Sequence, residues 1–113
     1  MIVNSLIPQT ENRVQFSLRC WGLVPKSAGC YALTTIDGEI LYLGLSENLH
    51  RRFSEHRDTD AKRLPTQNGL ATWFYYLLCD PKDLGRIERT WLNEHVTEHG
   101  VLPILNKINS PVH

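Results

Sequence analysis

Two β-prone runs, CYALTTI and EILYLG, flank the dipeptide Asp37-Gly38, and no other feature restricts how this chain can fold as tightly. Asp-Gly suits a two-residue type I′ turn, whose central positions both take positive φ. With that turn Ile36 pairs with Glu39, Leu33 with Tyr42 and Tyr31 with Gly44. Directly opposed side chains share a face and each strand alternates with period two. Tyr31, Leu33, Thr35, Ile40, Tyr42 and Gly44 then lie together. The two phenols become diagonal neighbours, and Gly44 leaves open space opposite Tyr31.

The remaining signals build on this hairpin. After Gly44, Ser46 is a plausible N-cap for a short helix in which Leu49 and Phe53 are spaced i, i+4, through about His56. Residues 57–69 mix charge with Pro, Asn and Gly and read as a loop. LATWFYYLLC, residues 70–79, is apolar on both alternating faces, as a strand covered on both sides is. Asp80-Pro81 opens a long helix whose apolar positions Leu84, Ile87, Trp91, Leu92 and Val96 run to Gly100, and Pro103 prevents its continuation. Upstream, Val14, Phe16 and Leu18 alternate like a short half-buried strand. A small antiparallel sheet with helices packed on it is an α+β domain.

A chain of 113 residues supports one hydrophobic core, so the expected organisation is a single domain, 1–113, with a core over 29–107 and an N-terminal extension, 1–28. The chain has no apolar run long enough to span a bilayer and no basic leader ahead of an apolar stretch, and a cytoplasmic location is the default expectation. Cys20, Cys30 and Cys79 include no CxxC pair, which argues for reduced thiols rather than a disulfide framework or zinc cage. Twelve basic residues balance twelve acidic ones, so the whole-molecule field gives polyanions little attraction. Only residues 51–63, with five basic and three acidic side chains, form a modest positive patch.

Chemistry concentrates around the hairpin. Arg52 and His56 share a helix stripe beside Leu49 and Phe53, so an arginine and a histidine can border the two tyrosines near a helix N-terminus, a location that favours phosphate. Glu88 sits at the edge of the long helix's apolar face, where a carboxylate needs a partner. Arginine, histidine, a tyrosine hydroxyl or a divalent cation would each serve. His95 and His99 form an i, i+4 pair without a third ligand of suitable spacing, and a surface role is expected for them.

Gly29-Cys30-Tyr31, followed after ten residues by Tyr42-Leu43-Gly44, resembles the paired signature of the GIY-YIG nucleases. Asn48-Leu49, Arg52, His56, Glu88 and Asn106 extend the resemblance over about residues 29–107. It implies a three-stranded antiparallel sheet flanked by helices and a metal-dependent endonuclease acting on nucleic-acid phosphodiesters, DNA foremost. Tyr31 and Tyr42 would divide the deprotonation and orientation of the attacking water, with the base unassigned between them. Arg52 and His56 would hold phosphate or a phenol, Glu88 would bind one Mg²⁺ or Mn²⁺, and Gly44, Ser46, Asn48 and Asn106 would meet substrate. Leu45 departs from the lysine or other polar residue of several members. With the neutral charge, it motivates an alternative: a catalytically inactive module of the same fold that binds nucleic acid or protein. Specificity beyond so small a surface would come from a homodimer or a partner protein.

Overall fold

The computed structural model describes residues 1–108, with side chains through Asn106. Its sheet has four antiparallel strands, β1 Asn12–Gln15, β2 Gly29–Thr34, β3 Ile40–Ser46 and β4 Trp73–Leu78, in the order β1-β4-β2-β3. The sheet therefore has one strand more than the three expected. The addition is β1, which pairs along β4 from Asn12↔Tyr76 to Gln15↔Trp73. Among the described residues there are four α-helices: α1 Leu49–Arg57 and α2 Asp60–Arg63 lie between β3 and β4, and α3 Leu84–His99 and α4 Ile104–Ile108 follow β4.

The sheet separates two apolar clusters. On one face Tyr31, Leu33, Leu41 and Phe74 pack with Leu49 and Phe53 of α1 and Leu105 of α4. On the other, Cys30, Ala32, Leu43 and Leu77 pack with Leu84, Ile87 and Trp91 of α3. With helices on both sides, β2 is buried along its whole length, which is why its sequence reads as a continuous apolar run.

The hairpin differs from the expected turn by one residue, and a second irregularity restores the expected faces. Thr35 N donates to Glu39 O at 2.9 Å, so Ile36, Asp37 and Gly38 form a three-residue loop. Only Gly38, at φ +88°, takes positive φ, as suits a three-residue hairpin loop with one left-handed position. Thr34 accordingly opposes Ile40, but beyond Leu41 the register shifts so that Leu33 opposes Tyr42 and Tyr31 opposes Gly44. Leu41 is thus the extra residue of a β-bulge. Ile40, expected on the face of the tyrosines, packs on the opposite face against the α3 cluster, while Leu41 and Tyr42 both turn to the tyrosine side.

Other boundaries moved for identifiable reasons. Ser46 ends β3 instead of capping α1; the cap is Asn48, whose side chain accepts from Arg51 N at 3.1 Å. The segment read as a loop contains α2, tied to the end of α1 by its N-cap Thr59, whose N donates to His56 O at 3.1 Å and whose hydroxyl donates to Glu55 O at 2.9 Å. A short 3-10 turn, Pro81–Asp83, capped by Asp80, precedes α3. Gly100 closes α3 in the left-handed conformation at φ +77°.

The N-terminal extension is part of the core. Val3 N donates to Gly38 O at 2.8 Å and Ile40 N to Met1 O at 2.9 Å. Val3 and Leu6 are buried in the α3 cluster, and Trp91 Nε1 donates to Pro8 O at 2.8 Å. Leu6→Ala is therefore expected to cost about 2–5 kcal/mol, the range for removing a buried leucine, read as a shift in denaturation midpoint at constant m-value. An unchanged midpoint would show that residues 1–28 do not belong to the cooperative unit.

Candidate active site

The centre of the site is Tyr31, on the most buried strand. Its ring stacks on Phe74, with centroids 5.0 Å apart and planes at 12°. It lies 6.0 Å from the ring of Tyr42. A Cβ placed on Gly44 would meet the Tyr31 hydroxyl at 2.6 Å and Tyr42 Cε2 at 2.9 Å. The space opposite Tyr31 is therefore filled by the phenol itself, which passes over the Gly44 backbone.

From α1, His56 meets both phenols. Its Nε2 is 2.5 Å from the Tyr31 hydroxyl, and its ring meets that of Tyr42 edge-on at 5.2 Å. Leu49 and Phe53, on the same stripe, bury that helix face and fix its rotation. Burial, reinforced by the charges of Lys62 and Arg52, lowers the His56 pKa to about 3, so near pH 7 the imidazole is neutral. With Nδ1 carrying the ring proton, Nε2 accepts from the phenol.

The two phenols have different environments. Tyr31 is 1 % exposed; burial drives its pKa well above the ordinary value, repulsion from an ionised Tyr42 adds to this, and Arg52 opposes it. Tyr42 is only half-buried. Burial raises its pKa as well, but the hydrogen bond from Tyr31 and the charge of Arg52 pull it down. Both phenols are held above their ordinary pKa, and Tyr42 is the one whose ionised form the surroundings oppose less.

Arg52 acts electrostatically on both phenols and on His56. Its Nε is buried without a hydrogen bond, although Glu55 Oε1 stands 3.4 Å away. Glu88 is half-buried on α3, the helix on the other face of the sheet, where the Cys30 thiol donates to Leu84 O at 3.4 Å; its charge raises the pKa of Cys30, Tyr31 and Tyr42. Strand, α1 and α3 thus bring Tyr31, Tyr42, Arg52, His56 and Glu88 into one electrostatic neighbourhood.

The four residues expected to meet substrate have their polar groups or space occupied by the fold. Gly44 makes room for Tyr31. Ser46 is buried, its hydroxyl donating to Asn48 O and accepting from Asn48 N, while Asn48 caps α1. Asn106 reaches from α4 to bracket Leu43, accepting from its N and donating to its O, both at 2.9 Å. His95, expected at the surface, is buried and hydrogen-bonded through Nδ1 to Val101 O at 2.7 Å; His99 lies on the solvent side. Cys20, Cys30 and Cys79 are free thiols.

One member of the cluster carried no sequence signal of its own. Lys62 of α2 is buried, with Nζ 4.7 Å from the Tyr42 ring centroid. The alternation of charged residues around it reads as solvated loop.

Against known proteins, the model of the GIY-YIG catalytic domain matches residues 27–100 of the 113. No curated protein matches the chain. Among the described residues no helix is long and apolar enough to cross a membrane.

Two outcomes follow from the geometry. Gly44→Ala forces the Tyr31 phenol from its place, and is expected to destabilise the fold by about 1–3 kcal/mol, as overpacking does, with loss of whatever activity the phenols support. His56, neutral when folded and with an ordinary pKa of 6.5 when unfolded, binds more protons in the unfolded state between about pH 6.5 and pH 3. Its contribution to stability is thus complete above pH 6.5 and declines as pH falls through this window, with a slope of at most about 1.4 kcal/mol per pH unit. Denaturation midpoints of wild type and His56→Gln across that range measure the difference, and parallel profiles would contradict it.

Proposed function

Because this chain belongs to the GIY-YIG catalytic-domain family of nucleases, we propose that it is a single-domain endonuclease that hydrolyses nucleic-acid phosphodiester bonds, with DNA as substrate and Mg²⁺ or Mn²⁺ as cofactor. The observation that carries this reading is the convergence of two phenols, a neutral imidazole and a partly unsatisfied guanidinium in one semi-buried site.

Tyr42 is the general base in this proposal. It is the more exposed phenol, and its ionised form gains a hydrogen bond and the charge of Arg52. Tyr31 has one hydroxyl proton to give; in the resting site it goes to His56, and it turns to Tyr42 when that oxygen becomes anionic. His56, neutral at working pH, holds the Tyr31 hydroxyl in place between these arrangements. Arg52 binds a non-bridging phosphate oxygen and stabilises the additional negative charge of the pentacoordinate transition state, for which a fixed guanidinium is well suited.

The donor chemistry suits a hard cation. Among the described residues no group of three His, Cys, Asp or Glu side chains forms a preassembled cage, as a structural zinc site requires. Mg²⁺ is commonly held by one or two carboxylates, with water and substrate phosphates completing its shell, and Glu88, whose charge reaches both phenols from α3, is the carboxylate assigned to it in this scheme. When bound, the cation would supply charge neutralisation at the phosphate. Gly44, Ser46, Asn48 and Asn106 act in this scheme by positioning the strand and helix that carry the reacting groups.

The test is incubation of the full chain with single- and double-stranded DNA and Mg²⁺ or Mn²⁺. Cleavage of at least one substrate is expected, with kcat/KM falling about 10²–10³-fold in Arg52→Ala and Tyr42→Phe and to a similar extent in Glu88→Gln. Undiminished cleavage in any of the three would remove that residue from the mechanism. Metal-independent binding without cleavage of any substrate would instead assign the fold a binding role.

A further inference from the structure

Lys62 is 5 % exposed, and among the described residues its Nζ makes no hydrogen bond or ion pair. The acidic side chains of α1 and α2 are engaged elsewhere. Glu55 pairs with Arg51 and Arg52, and Asp60 with Arg63. The surroundings of Lys62 are instead the ring of Tyr42, 4.7 Å from Nζ, and two further basic groups, Arg52 and His56, on which its charge acts or which act on it. Burial, with the charge of Arg52 added, lowers the Lys62 pKa.

A buried ammonium next to a guanidinium, with no carboxylate to pair it, costs stability. The fold tolerates the arrangement although a methionine would fill the same volume without the charge. Contact with the ring face recovers part of the loss, but a ring face does not neutralise two neighbouring cations. An anion bound beside Tyr42, the half-buried phenol whose ring Nζ faces, does. We propose that Lys62 is a second cationic residue of the active site, contacting a non-bridging oxygen of the scissile phosphodiester from α2 while Arg52 contacts it from α1. The proposal rests on the nuclease reading of the site, and extends it by a residue that reaches substrate from outside the two tripeptides and the α1 stripe.

The experiment compares the wild-type chain with Lys62→Met, matched in length and apolar, and Lys62→Arg, which keeps the charge. Three quantities are read: the melting temperature, kcat/KM for DNA with Mn²⁺, and the salt dependence of binding to a short oligodeoxynucleotide in EDTA, where no cleavage occurs. Lys62→Met is expected to melt no lower than wild type, because it removes an unpaired buried charge. Its kcat/KM should fall about 10²-fold, and the slope of log K against log salt should shrink by about 0.7–0.9, one phosphate contact. Lys62→Arg should retain the wild-type slope. A lower melting temperature with an unchanged slope would make Lys62 a packing residue and overturn the proposal, as would wild-type cleavage by Lys62→Met. If the wild type cleaves nothing but the slope still falls in Lys62→Met, the phosphate contact stands and the nuclease reading fails. If the wild type cleaves and Lys62→Met cleaves equally well, the reverse holds. A wild type that neither binds nor cleaves overturns both.

Discussion

The contact on which the site depends is steric: a phenol ring lying across the backbone of a strand. Tyr31 occupies the volume that any side chain at position 44 would take, with Phe74 stacked beneath it and His56 accepting from its hydroxyl. These three neighbours leave the ring no alternative rotamer of comparable packing. Once Tyr31 is fixed, the positions of its partners are bounded. His56 must present Nε2 at hydrogen-bond distance, which sets the rotation of α1 and therefore the direction in which Arg52 projects. Tyr42, opposite Leu33 and diagonal to Tyr31, can reach the same spot only from the strand that carries Gly44.

Electrostatically, the site sets the charge of Arg52 beside two phenols. Arg52 favours ionisation of both phenols, whereas Glu88 on α3 opposes it. Burial also opposes it, most strongly for the enclosed Tyr31. Two identical side chains thus acquire unequal tendencies to lose a proton through differences in enclosure and in hydrogen-bond direction. His56 stays uncharged because the same burial and the same cations disfavour a further positive charge. The molecule as a whole is neutral, so this local imbalance, and not a basic surface, supplies the attraction for an anion.

Much of this was legible in the sequence because it rests on local periodicity. The Asp37-Gly38 turn, the alternation along β2 and β3 and the apolar stripes of α1 and α3 placed Tyr31, Tyr42, Gly44 and His56 together before any coordinates. What was not legible arises from interactions between distant segments. The loop is one residue longer than a type I′ turn, and the bulge at Leu41 corrects the register; neither alone would have kept Tyr42 beside Tyr31, and periodicity reports only their combined result. β1 was discernible as alternation but not as a sheet member, because pairing with β4 spans some sixty residues of chain. Ser46 read as the cap, and only the backbone geometry gives that role to Asn48. Lys62 carried no signal at all: a four-residue helix rich in charge looks like solvent-exposed loop until the end of α1 holds it against Tyr42.

Asn106 has a consequence for how this molecule meets its neighbours. β3 is one of the two border strands of the sheet, and a border strand presents unpaired amides that can recruit another chain. At Leu43 both the donor and the acceptor are already taken by one carboxamide from α4, which imitates a residue of an adjoining strand. An extended segment approaching along that margin would find both backbone groups of the strand's central residue already taken by α4, beside Tyr42.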